Sequence, residues 1–109
     1  MLHEMIDAAE EACRLAEGRS VADVEQDRQR RDALLWNFTV LGEAANAVSD
    51  ETKQRFPEIP WRSPVSLRNR LVHGYWSVDV ELLHTTAIEQ LPDFVRRVGA
   101  ALAVLRTDS

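Results

Sequence analysis

The chain has little of what most protein classes are built on. It holds one cysteine, one tyrosine, four glycines and four prolines in 109 residues. A lone thiol, Cys13, excludes an internal disulfide and fits a reducing compartment. No apolar run approaches the roughly 20 residues that a membrane helix needs; the longest, residues 99–105, is far too short. Residues 1–7 lack the basic-then-apolar order of a signal peptide, so a cytoplasmic protein with no membrane partner is expected. The three histidines, His3, His73 and His84, are isolated from one another and from any acidic cluster, so neither a metal nor a cofactor is expected. No strand-like alternation, repeat or low-complexity tract is present. What remains is ordinary for one globular domain over residues 1–109: 45% hydrophobic and 28% charged.

Positive charge is scarce too, with a net charge of −5, but it is not evenly spread. Residues 52–78 carry Lys53, Arg55, Arg62, Arg68 and Arg70 against Glu58 alone, a local +4 on a remainder of −9. That pattern suits a confined phosphate site better than a long nucleic-acid track.

Helical spacing accounts for nearly everything else. Leu2, Met5, Ile6, Ala9, Cys13 and Ala16 predict an amphipathic helix over residues 2–17, closed by Gly18. Cys13 lies on its apolar stripe and reads as a packed thiol. Ser20 with Asp23 three positions on predicts a capped helical turn. A longer helix is expected over residues 27–49, with Leu34, Phe38, Leu41, Ala45 and Val48 on one face. Trp36, Val40, Ala44 and Ala47 widen its apolar arc beyond what one neighbouring helix covers, which points to a subunit interface. Its polar stripe of Thr39, Glu43 and Asn46 is either a satisfied polar seam or a solvent-exposed strip, or, in Glu43, is turned to face and orient arginines. Gly42 inside this helix costs about 1 kcal/mol against alanine and hints at close approach by another element.

Further turns are expected over residues 50–56, then an extended connector through Pro57 and Pro60. Ser63 and Pro64 fit the N-cap and first position of the next helix, and Gly74 its terminator. Ser77 or Asp79 would cap the last helix, which Pro92 kinks or interrupts before it continues through Leu105. The fold class is therefore all-α: an up-and-down bundle of about four main helices plus short helical turns.

The chemistry concentrates in residues 66–76, which hold Arg68, Asn69, Arg70, His73 and Tyr75 around a Leu71–Val72 anchor. Arginine offers a planar fork that matches phosphate oxygens, and histidine can take or give a proton near neutrality. Together they suffice for metal-independent RNA cleavage, in which the imidazole deprotonates the 2′-hydroxyl and a guanidinium stabilises the charge on phosphorus. On spacing alone Arg70 is the better candidate. Arg68 and His73 are five apart, about 140° around an ideal helix, whereas Arg70 and Asn69 precede His73 by three and four. A basic helix end that merely complements the helix dipole would use the same residues.

Residues 68–75 resemble the R-x-x-x-x-H-x-Y signature of the HepT-like toxins of the HEPN superfamily. Residues 41–45 (LGEAA), 56–62 (FPEIPWR) and 74–79 (GYWSVD) resemble the family's central helix, connector and entry to the last helix, in the same order. The resemblance implies a HEPN-like homodimer and an RNase toxin acting on tRNA or mRNA. Its partner would be an MntA-type nucleotidyltransferase antitoxin that silences the toxin by AMP addition. By position, Arg68 and His73 are catalytic, Tyr75 accepts AMP, and Asn69, Arg70 and Glu43 support them. A catalytically silent helical module that binds phosphate, nucleotide or a nucleotidyltransferase partner is the alternative.

Overall fold

The computed structural model describes residues 1–73 and 79–108; the side chains of Val72 and His73 lie outside that description. Among the described residues there are seven helices and no strand: α1 (Leu2–Ala16), α2 (Val21–Gln26), α3 (Arg28–Ala47), α4 (Asp50–Arg55), α5 (Arg62–His73), α6 (Val80–Glu89) and α7 (Leu91–Thr107). The all-α bundle expected from periodicity is what the chain forms. Where it differs is the count of long helices, because the final stretch divides into α6 and α7. Gln90 ends α6 and precedes α7, with Pro92 in the first turn of α7, where its missing N–H costs nothing.

Local chemistry sets most of the boundaries. Ser20 and Asp23 form a reciprocal capping box at α2. Asp27 accepts from the Arg30 N–H to start α3, Ser49 from Thr52 to start α4, and Asp79 from Leu82 to start α6. Each cap stabilises its helix by about 1 kcal/mol. Gly18 follows α1 with φ +70°, the left-handed conformation expected of a helix-terminating glycine. Gly74 and Ser77, expected to end α5 and to offer an alternative cap, lie outside the described residues.

The core lies between α1, α3, α6 and α7. Helix α1 turns an alanine-rich stripe (Ala8, Ala9, Ala12, Ala16) inward, which lets it sit close against α3 and α7. Phe38, Leu34 and Leu41 of α3, Leu83 of α6 and Val98 of α7 are almost fully buried among them. No helix among the described residues is long and apolar enough to cross a membrane.

Helix α5 is held differently, packing chiefly on α3. Its entry is pinned by the connector: Phe56, Ile59 and Trp61 are buried, and the Trp61 indole N–H donates to the Phe56 carbonyl at 3.0 Å. Arg97 of α7 donates to the Glu58 carbonyl at 2.9 Å, tying the connector to the body. With Trp61 anchored, the helix begins at Arg62, one residue before the expected Ser63 cap, and Pro64 is buried rather than terminal.

The α3–α5 crossing turns on Gly42. A β-carbon built there would lie 2.2 Å from Arg68 Cβ and 2.7 Å from the Pro64 carbonyl oxygen, so the two helices touch where α3 lacks a side chain. The close approach inferred from Gly42 is real, and the approaching element is the arginine-bearing helix. Gly42→Ala gains helix propensity but must push α5 outward. We expect a net loss of about 1–3 kcal/mol, read as a lower urea midpoint and a Tm lower by several degrees. An unchanged or raised Tm would mean that α5 is not held at this contact.

Candidate functional site

Arg68 crosses over Gly42 with its aliphatic stem, and this delivers the guanidinium to the next residue along α3. Its Nη2 donates to Glu43 Oε1 at 3.2 Å, and its Nη1 donates to Asn69 Oδ1 at 3.0 Å. Glu43 is thus turned towards Arg68 and at the same time solvent-exposed, so both readings of the α3 polar stripe hold in part. Thr39 instead bonds back to the Leu35 carbonyl at 2.9 Å, and Asn46 is exposed.

The side chain of Arg68 is 30% exposed and that of Glu43 61%, so the pair sits at an open seam. An exposed ion pair contributes only about 0.2–1 kcal/mol. It orients the guanidinium without locking it and can yield to a phosphate dianion. Arginine carries five N–H donors; Glu43 and Asn69 engage two, and the buried Nε–H has no partner among the described residues. Donors on the terminal nitrogens thus remain for an incoming oxyanion.

The two motif arginines part company. Arg68 lies over α3, whereas Arg70, two positions and about 200° further around the helix, lines a groove on the opposite flank of α5. Arg70 is therefore not a second donor to the Arg68 cluster. The imidazole of His73 and all of Tyr75 lie outside the described residues. Among the described residues, no three His, Cys, Asp or Glu side chains converge as a metal site would require.

Cys13 is half-buried, its thiol 3.5 Å from the Ala87 carbonyl, and burial pushes its pKa above the usual thiol range. It is a packed side chain. His84 contacts the Arg19 carbonyl through Nε2 at 2.5 Å, and His3 contacts Arg106, so both histidines serve contacts away from α5.

Sequence reasoning missed the groove beside Arg70. Its one linear trace is the four-residue spacing of Arg62, Ser66 and Arg70, which aligns them on one side of α5.

Comparison with known proteins narrows the chemistry. A family model described as ribonuclease HepT-like matches residues 5–101. A protein of Thermococcus cleftensis named "Probable ribonuclease HepT" is 35% identical over 66 residues, covering 61% of this chain and 60% of its own length. A Methanocaldococcus jannaschii protein named "Putative RNase MJ1380" is 25% identical over 97 residues, covering 89% of each chain. The match thus spans less than two thirds of the first relative and most of the second. No solved structure matches the chain.

The raised thiol pKa has a direct consequence, because only the thiolate is alkylated. Cys13 in the folded chain is expected to react with iodoacetamide more slowly than in urea at pH 8. Its native rate should rise only at pH above the range of an ordinary thiol. Mass spectrometry of timed quenches reads both; equal native and unfolded rates would show an open, unperturbed thiol.

Proposed function

The chain belongs to the ribonuclease HepT-like family, and from that membership we propose that it is a metal-independent endoribonuclease whose reaction is carried by Arg68 and His73. The observation that carries the proposal is the Arg68 guanidinium, oriented by Glu43 and Asn69 at an open seam with donors to spare. The relatives' names supply the RNase class.

In the proposed reaction the His73 imidazole takes the proton of a ribose 2′-hydroxyl. The 2′-oxygen then attacks the adjacent phosphorus, forming the O2′–P bond as the P–O5′ bond breaks. A proton goes to the departing 5′-oxygen. The products are a 2′,3′-cyclic phosphate and a 5′-hydroxyl end. Arg68 binds the non-bridging oxygens, whose charge grows in the transition state, so its contribution is larger there than in the ground state. Glu43 and Asn69 act through Arg68 as positioning residues.

One imidazole cannot be base and leaving-group acid at the same instant. We therefore place the active form as a homodimer in which two His73 side chains divide these roles. The outward face of α3 supports this: Trp36 is 66% exposed, and half-buried Val40 and exposed Ala47 flank Glu43 on the same face. A large exposed aromatic beside a functional ion pair suits an interface. The cellular role we propose is that of a cytoplasmic toxin silenced by a nucleotidyltransferase of the MntA type. AMP on Tyr75 would place phosphate charge next to the guanidinium that RNA needs.

Arg68→Ala is expected to lower cleavage by about 10²–10³-fold and His73→Ala by about 10²–10⁴-fold, with circular dichroism near the parent's. Arg68→Ala also deletes the stem packed over Gly42 and should lower Tm somewhat, so its activity is read well below that Tm. Product ends from an RNA digest should carry cyclic phosphate. Full activity in either variant sinks the assignment. Tyr75→Phe should keep its cleavage while losing AMP incorporation and inhibition by the partner transferase. In mixed dimers carrying one His73→Ala subunit, activity well below half is expected; retention of half would mean independent sites.

A further inference from the structure

Helix α5 has a second working flank. Helices α5, α6 and the start of α7 splay around a groove of about 740 Å³. Its floor and walls are apolar: Phe38 and Leu41 from α3, Leu67 from α5, Leu82 from α6, Leu91 and Phe94 from α7. That size lies within the range of small-molecule pockets, roughly 300–1,000 Å³, and accommodates a nucleobase with its sugar.

The two rims differ in charge. On the α5 rim Arg62, Ser66 and Arg70 follow one another at four-residue spacing, about 12 Å from first to last along the axis. Arg62 and Arg70 are exposed, and α5 contains three arginines and no acidic residue, alone among the seven helices. The far rim carries Glu58, Glu89 and Asp93, with Arg97 committed to Asp93 and to the Glu58 carbonyl. A polyanion is therefore admitted along α5 and repelled from the α6–α7 side, which leaves the groove to the uncharged part of the ligand.

Resting on the ribonuclease reading above, we propose that this groove is a subsite for single-stranded RNA. The strand's phosphates follow the Arg62–Ser66–Arg70 ridge, and one base beyond the scissile bond enters the apolar groove. By helical spacing position 73 follows Arg70 by three and Asn69 by four, on the outer side of α5. The ridge thus leads a strand towards the reacting position and divides α5 into a binding flank, Arg70, and a phosphate-activating flank, Arg68. Arg62 and Thr86, at the groove's rim and wall, touch neither Arg68 nor Glu43 and tune affinity rather than chemistry.

Binding and cleavage are measured together on the full chain, with a fluorescently labelled unstructured 12-nucleotide RNA and with dinucleotide substrates. Arg62→Ala should weaken RNA binding roughly tenfold and lower the slope of log affinity against log salt by about 0.7, the share of one phosphate contact on a single strand. Thr86→Trp, which fills the groove, should raise KM for the 12-mer several-fold more than it raises KM for a dinucleotide. The groove assignment is overturned if both variants bind and cleave the 12-mer as the parent does. It is equally overturned if Thr86→Trp changes only the oligomeric state seen in sedimentation, which would make the groove a protein interface. A parent chain that binds the 12-mer in an Arg62-dependent way but cleaves nothing overturns the nuclease reading and upholds the groove.

Discussion

The contact on which the site depends is the close approach of α5 to α3 at Gly42. Almost any other residue there would hold the helices apart, because Arg68 Cβ and the Pro64 carbonyl occupy the space of a β-carbon. The glycine costs helix stability locally, about 1 kcal/mol, and returns a packed crossing in which the arginine stem itself is the packing element. Arginine is suited to this double use, since its methylene stem covers apolar surface while the guanidinium reaches water. The charge is thus positioned mostly by packing. The ion pair to Glu43 adds only a direction.

That division explains how an acidic protein presents a local concentration of positive charge. With a net charge of −5 the body repels a polyanion at long range, and only the acid-free helix reverses the sign locally. Screening at physiological salt limits such fields to roughly 8 Å, so the field just outside α5 is set by its arginines more than by remote carboxylates. On the α6–α7 side Asp93 is bonded to Arg96 and Arg97, which also holds its carboxyl below the usual range. Arg97 in turn ties α7 to the connector that launches α5. Electrostatic and structural roles coincide there.

Much of this was legible in one dimension, and the reasons are local. Caps at Ser20 and Asp79 act within four residues, and Pro92 interrupts whatever helix it meets, so sequence alone places these boundaries to within a residue or two. Gly42 was readable as a contact because a mid-helix glycine needs a reason. What it touched was not readable, since that depends on how α5 crosses α3. The start of α5 moved to Arg62 because Trp61 is buried and bonded to Phe56, a tertiary anchor that outweighs the Ser-Pro signal. Of the apolar arc expected on α3, Trp36 and Ala47 are exposed, Val40 is half-buried and Ala44 is buried against the core. The groove escaped notice because side chains of α3, the connector, α5, α6 and α7 build it together and no periodicity encodes how those helices splay.

The spacing puzzle of the motif dissolves once both flanks of α5 are considered. Five residues separate Arg68 from position 73, which puts them on different faces of an ideal helix, and this at first favours Arg70. Yet a helix lying on its neighbour with one face has two edges, not one, that meet solvent beside the contact. Arg68 occupies the edge at the α3 seam, where Glu43 and Asn69 can aim it. Arg70 occupies the other, where it lines the groove. Position 73 falls between these edges by helical spacing. Two arginines on one face would repel each other; on opposite edges each has its own surroundings, Arg68 the α3 seam and Arg70 the groove, and the two-residue step between them is what puts them there.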